Sequence, residues 1–137
     1  MPVFMGEVAK LCRSVFCWEP LDFLEALGVI PLEGEYGASF HYVVIRAPVR
    51  LELTVWPLNA DVAVSLYCSP QVAPVLHLNL LGCPGARLVN DKRGKFIEFA
   101  GATNMFSGRY DLSAAAPYGF RLWVEPFIQV EPFAYQT

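Results

Sequence analysis

Long apolar runs and basic stretches are both missing from this chain of 137 residues. No run approaches the roughly 18 to 20 apolar residues that cross a membrane, and the first residues lack a basic stretch followed by an apolar one. Ten basic residues stand against thirteen acidic ones, and the cluster at residues 92–95 fits a solvated turn. Nucleic-acid binding needs a basic stripe along the phosphates. We therefore expect a cytoplasmic chain that binds neither a membrane nor nucleic acid.

Close pairs of metal-ligating residues are missing as well. The four cysteines, Cys12, Cys17, Cys68 and Cys83, form no CxxC pair, and structural zinc sites draw their ligands from such pairs. On a helix, five residues of separation turn Cys12 well away from Cys17. The spacing predicts reduced thiols, no metal site and no cofactor.

No catalytic signature stands out. A glycine-rich loop between a strand and a helix is absent, and no third group marks a cysteine–histidine pair as a nucleophile and its base. A curled sheet around an apolar cavity would place four residues near its mouth: His41, Tyr42, His77 and Cys83. We expect a protein that is not an enzyme, and a small-molecule pocket or small enzyme is the alternative hypothesis.

Alternation is the clearest pattern that is present. From residue 120 to residue 132 the even positions are apolar or proline, while most odd positions are polar or aromatic. A period of two indicates a β-strand with one side on a core. Straight, this segment would span roughly 40 Å, so we expect a bend or bulge near Glu125-Pro126. Pro126 and Pro132 share a parity, which favours the edge of a sheet.

Two hairpins are predicted from the same kind of alternation. In the first, residues 51–56 pair with residues 62–67 so that Val55 lies opposite Val64. In the second, Leu88 lies opposite Ile97, and Gly94 takes the positive φ of the turn. This register also sets Arg87 opposite Glu98, as an exposed ion pair of little strength.

Helical spacing is confined to the first thirty residues. A helical spacing is followed by Val8, Leu11, Cys12 and Val15, and the segment from Pro20 to Gly28 has proline at the first turn and a glycine terminator. Residues 39–45 are apolar on both parities, which predicts a central strand covered on both sides.

These patterns predict an α+β fold. N-terminal helices precede a predominantly antiparallel β-sheet of about six to eight strands, curled or two-layered. We expect a single domain over 1–137, in which a helical segment 1–30 packs on a β-rich segment 36–134.

The apolar content exceeds what one core needs. Apolar types make up 55% of the chain and charged types 17%, so some apolar surface is expected to serve an interface. The outward parities carry aromatic and acidic interface candidates: Trp56, Tyr67, Trp123, Phe127, Glu125 and Glu131. The competing interpretation is that the N-terminal helices cover these rings as a second core.

The functional hypothesis from the sequence is a non-catalytic accessory protein that binds a protein partner or forms a homodimer. Neutralising a basic toxin enzyme would suit its net charge of −3. A small-molecule ligand is retained only under the alternative hypothesis.

Overall fold

The computed structural model describes residues 11–12, 16–101, 110–111 and 118–134, and most of them lie in antiparallel strands. The helix of this part of the chain is α1 (Pro20–Leu27), and a 3₁₀ turn covers Glu35–Gly37. The strands are β1 (Leu11–Cys12), β2 (Leu32–Glu33), β3 (Phe40–Arg46), β4 (Val49–Trp56), β5 (Asp61–Cys68), β6 (Leu76–Leu80), β7 (Ala86–Asp91), β8 (Gly94–Ala100), β9 (Tyr110–Asp111), β10 (Tyr118–Trp123) and β11 (Gln129–Ala134).

Two sheets face each other across one core. The five-stranded sheet has the order β2-β3-β4-β5-β6, the four-stranded sheet has the order β11-β10-β8-β7, and β1 pairs with β9. Leu53 and Val64 from the first sheet share a buried cluster with Phe99 and Leu122 from the second. The antiparallel α+β fold is confirmed. The two main sheets hold nine strands in the described residues, more than the six to eight predicted.

Helix α1 agrees with the predicted segment and joins both sheets. Glu19 caps its start, and Gly28 ends it at a φ of 73°. Phe23 is buried, and its ring centroid lies 5.7 Å from that of Tyr42 on β3 and 5.7 Å from that of Phe99 on β8. The helix therefore fills space between the inner faces of the two sheets.

The earlier helical prediction is wrong at Leu11 and Cys12, which form β1. They pair with Asp111 and Tyr110, a contact across about a hundred residues that helical spacing cannot reveal. Val8 and Val15 lie outside the described residues. Cys17 is disulfide-bonded, which corrects the expectation of reduced thiols throughout, while Cys68 and Cys83 are free.

In the first hairpin the predicted side chains face inward, but the strands pair in a different register from the predicted one. Val55 pairs with Val62 instead of Val64, because the turn occupies only residues 57–60. A slip of two residues preserves which side chains face inward, so alternation could not distinguish the two registers. In the second hairpin Leu88 pairs with Ile97 as predicted, and Gly94 has a φ of 105°.

The alternating segment at residues 120–132 reverses direction instead of bending. β10 ends at Trp123, the chain turns through residues 124–128, and β11 returns antiparallel. The prediction for residues 39–45 is also wrong on one side, because Val43 and Ile45 are exposed on the outer face of the five-stranded sheet. Nothing in their alternation distinguishes an open face from a covered one.

Candidate protein-binding site

The outer face of the four-stranded sheet carries a row of alternating charges whose central members are buried, and we call it the closed face. Arg87, Glu98, Arg121 and Glu131 are successive cross-strand neighbours on β7, β8, β10 and β11. Glu98 accepts from Arg87 Nε at 3.0 Å and from Arg121 Nε at 3.3 Å, and Arg121 Nη1 donates to Glu131 at 2.8 Å. Glu98 is 2% exposed, so the Arg87–Glu98 pair is partly buried and not fully at the surface as predicted.

Trp123 lies on this closed face and is itself only 5% exposed. Its ring centroid is 4.6 Å from that of Phe96, and its Nε1 donates to the Arg93 carbonyl at 3.1 Å. Trp123 therefore has the outward parity predicted for it, but its ring is buried. Helix α1 packs on the opposite, inner side of the same sheet, where Glu25 pairs with Lys95 at 3.0 Å. Helix α1 therefore does not cover Trp123, and the rest of the predicted N-terminal helical segment falls mainly on residues 1–10 and 13–15, which lie outside the described residues.

The other interface candidates do not form one surface. Phe127 is exposed in the connection between β10 and β11, where Glu125 pairs with Arg46 at 2.8 Å. Tyr67 is half-buried beneath Arg50, whose guanidinium carbon lies 4.1 Å from the ring centroid. Trp56 lies at the opposite end of β4 from Arg50.

The four pocket candidates are also separated. Tyr42 and Cys83 are core residues, and burial raises the pKa of each to about 12, which keeps the Cys83 thiol in its unreactive protonated form. His41 and His77 lie instead on the outer face of the five-stranded sheet. Their Nδ1 atoms are hydrogen-bonded to Thr54 at 2.6 Å and to a serine hydroxyl at 2.7 Å. These positions do not assemble the predicted pocket mouth.

The outer face of the five-stranded sheet is open to solvent. Its central row runs Val43, Glu52, Ser65, His77 across β3 to β6. Glu52 pairs with Arg50 at 2.9 Å and lies 3.8 Å from His41. These contacts pair polar side chains on a face that remains exposed to solvent.

One end of this sheet collects three chain connections, from β2 to β3, from β4 to β5 and from β6 to β7. In an antiparallel sheet, alternate connections lie at the same end. We call this surface the turn end and define it as residues 33–36, 56–61 and 79–82. Hydrogen bonds tie the connections to their neighbours: Gly34 N donates to Ser39 O at 2.8 Å, and Cys83 N donates to Ala60 O at 2.6 Å.

The turn end is acidic and apolar. Its carboxylates are Glu33, Glu35 and Asp61, and its sequence contains no lysine or arginine. Three of its apolar side chains are strongly exposed: Tyr36, Leu58 and Leu81. The opposite end of the sheet carries Arg46 and Arg50, so charge is divided between the two ends.

Two turn-end residues hold a backbone conformation that side chains disfavour. Tyr36 has a φ of 57° and Ala60 a φ of 60°, and these are the non-glycine residues with positive φ in the described part of the chain. Tyr36 is also fully exposed, at 100%. The large ring of Tyr36 is held in the left-handed region, and no packing stabilises it there. This combination indicates a role at the surface.

A cleft of about 310 Å³ opens at the turn end. It is lined by Trp56, Asn59, Asp61, Val62, Asn79 and Leu81. Its volume lies at the bottom of the about 300 to 1,000 Å³ range of small-molecule sites, which suits a side chain better than a large ligand. Of the sequence-predicted candidates, Trp56 alone lines it.

Helix α1 extends the acidic character of this part of the chain. No lysine or arginine lies between Arg13 and Arg46, a span that includes Glu19, Asp22 and Glu25. The pKa of Asp22 is raised by partial burial and then by repulsion from its two acidic neighbours. This charge asymmetry was readable in the sequence and is the signal that could have directed attention to residues 33–36.

In the described part of the chain, no group of three or more histidine, cysteine or acidic side chains is placed to hold a metal ion. Within the same ranges no helix is long and apolar enough to cross a membrane.

The fold and the site together define a two-sheet antiparallel α+β protein with an acidic, apolar sheet end. No family model matches the chain, and no curated protein does either. A chain of the contact-dependent growth inhibition toxin–immunity protein complex from Klebsiella pneumoniae 342 has a similar fold, with a TM-score of 0.68 and 12% sequence identity. The likeness covers 88% of this chain and 97% of that chain. At this identity it shows a shared architecture.

Proposed function

We propose that this protein binds and neutralises a toxin whose surface is basic, and that it makes contact through the turn end. The observation that carries the proposal is the combination, at one sheet end, of three carboxylates, strongly exposed apolar side chains and no lysine or arginine. Interfaces combine apolar anchors with a polar rim, and complementary charge speeds encounter and selects the partner.

The exposed apolar side chains supply the anchors. Tyr36 is exposed on a connection that the Gly34–Ser39 hydrogen bond closes, and Leu81 on one that the Cys83–Ala60 hydrogen bond ties to the β4–β5 turn, so little ordering cost accompanies their burial. Tyrosine is also enriched among the residues that dominate binding energy at interfaces.

A foreign partner fits this surface better than a second copy of the chain. A symmetric dimer through the turn end would bring the carboxylates of Glu33, Glu35 and Asp61 close to their own copies, and like charges at an interface are costly. Homodimerisation through another surface stays a prediction, as does the cytoplasmic location.

The similar chain from Klebsiella pneumoniae 342 belongs to a toxin–immunity protein complex, which supports a partner of the toxin class. A neutralising protein needs a surface for its toxin and no reaction of its own. This agrees with the separation of the four pocket candidates in the fold.

Growth rescue tests the proposed function. The coding region that adjoins this chain's own gene is induced in bacterial cells, with and without co-expression of the chain. Arrest of growth that the chain relieves, together with co-purification at a one-to-one ratio, supports the proposal. Arrest that the chain does not relieve, or the absence of any arrest, contradicts it.

Charge-reversal variants locate the contact. Glu33→Lys and Glu35→Lys change exposed turn-end side chains, and each should weaken toxin binding at least tenfold while leaving the melting temperature unchanged. Glu125→Lys is the matched control, because this exposed carboxylate lies far along the chain and pairs with Arg46 at the opposite end of the sheet. Equal weakening by all three changes would argue against a turn-end contact.

A further inference from the structure

We infer that the cleft at the turn end receives a cationic side chain, an arginine or a lysine, from the protein partner. This inference rests on the proposed function for the source of the side chain, whereas the cleft's preference for a cation can be tested without any partner. It gives the turn end, which its charge and exposed apolar side chains distinguish, a specific binding position.

The chemistry of the cleft matches a cation in three ways. Trp56 offers an indole ring, the aromatic group that attracts guanidinium and ammonium groups most strongly. Asp61 offers a carboxylate, and the amide oxygens of Asn59 and Asn79 can accept further hydrogen bonds. A guanidinium carries five N–H donors and needs several acceptors at once.

The register of the sheet brings these groups together. Trp56 pairs directly with Asp61 across β4 and β5, so the two side chains emerge side by side on the outer face. Asn79 pairs with Ala63, two residues along β5 from Asp61 and on the same face. The ring, the carboxylate and one amide therefore come from three neighbouring strands, whose positions the ladder fixes.

The carboxylate is available for a cation. Among the residues that the structure describes, none forms an ion pair with Asp61, and one of its oxygens accepts from Gly82 N at 3.3 Å. That hydrogen bond holds the carboxylate at the cleft while the group keeps further lone pairs for a partner. Glu33 ends β2 and Glu35 begins the turn that follows it, at the same end of the sheet as the cleft and separated from β4 by β3, and their charges favour the approach of a positive charge.

The first test uses N-acetylargininamide as the probe and N-acetylcitrullinamide as its uncharged counterpart. The ¹H–¹⁵N spectrum of the protein is recorded during each titration. The arginine probe should shift the Trp56 indole and the Asn79 amide in a saturable way, and the citrulline probe should bind at least tenfold more weakly. The Trp123 indole, which donates to Arg93 O inside the fold, is the internal control and should not move.

Equal responses to the two probes would overturn the inference, because the cleft would then not select for charge. Shifts spread over the whole spectrum without saturation would overturn it as well. Neither result requires a variant, so a failure of folding cannot obscure the answer.

Two variants separate this inference from the proposed function. Asp61→Asn should weaken binding of the arginine probe at least tenfold, and Glu52→Gln on the same outer face should not. Wild-type protein that binds the probe but fails to relieve toxin arrest would leave the cleft assignment standing and reject the proposed function. Wild-type protein that relieves arrest without any preference for arginine would reject the cleft assignment alone.

Discussion

The outer faces of the two sheets have similar compositions, but they differ in their exposure to solvent. On the four-stranded sheet, Glu98 and Arg121 are almost inaccessible and belong to a row of four alternating charges. On the five-stranded sheet, Glu52 lies in a row between exposed Val43 and buried Ser65, and exposed His77 follows. Along the strands of both sheets, these outward residues alternate with apolar inward residues. The alternation therefore does not distinguish the two outer faces.

Side chains buried in the fold are thereby distinguished from side chains that remain at the surface. Aromatic side chains on the closed face, such as Trp123, contribute to the fold, whereas those on the open sheet, such as Trp56, remain available. The predicted interface therefore divides into a structural half and a surface half. Three predictions test that division, from the largest expected effect to the smallest.

Removal of the Trp123 ring should cost the most. Trp123→Ala leaves a cavity beside Phe96 and removes the hydrogen bond to Arg93 O, and we expect a loss of about 3 to 5 kcal/mol in the free energy of unfolding. Chemical denaturation measures this loss. Phe127→Ala is the control, because its ring is exposed and its removal should change the stability by no more than about 0.5 kcal/mol. Similar values for the two variants would mean that Trp123 is not a core residue.

Neutralising one carboxylate on each sheet sharpens the comparison further. Glu98→Gln leaves Arg87 and Arg121 without their buried counter-charge and should cost about 3 kcal/mol in the free energy of unfolding. Glu52→Gln removes a half-exposed pair with Arg50 and should cost less than about 1 kcal/mol. Denaturation curves for both variants at low and at high salt give the answer. A loss at Glu52 equal to that at Glu98 would contradict the difference between the faces.

Alkaline pH should destabilise the protein through groups on the inner side of the fold. The pKa of Tyr42 and of Cys83 is about 12 in the folded chain, against ordinary values of 10.0 and 9.0. Above pH 9 the unfolded chain therefore binds fewer protons than the folded chain, so stability falls as the pH rises.

Tyr42→Phe should remove the tyrosine part of that loss between pH 10 and pH 12, as measured by denaturation across this range. A variant at residue 42 whose alkaline loss equals that of the wild type would assign the effect to other groups.

The two hairpins differ in whether their strand register could be predicted from the local sequence. The pairing of Leu88 with Ile97 was predictable, because Gly94 and the polar residues before it determine the turn. The pairing of Val55 with Val62 was not, because Ala60 adopts a positive φ that its residue type does not favour. The tighter turn that results shifts the register by two residues.

The candidate site was predictable only in part. Trp56 was identified from its parity, and the stretch without basic residues around Glu33 and Glu35 was present in the sequence. Asp61 and Asn79 could not be linked to Trp56 in advance. Their proximity depends on the β4–β5 register and on β6 lying next to β5.

The amino-acid sequence by itself determined which side chains share a face of each strand, because side chains alternate along any extended chain. It also determined the start and end of α1, through Pro20 and Gly28. Only the tertiary structure decided that residues 120–132 reverse direction and that one outer face is closed while the other is open. Those outcomes depend on contacts between residues far apart in the chain. A local sequence pattern carries no information about such contacts.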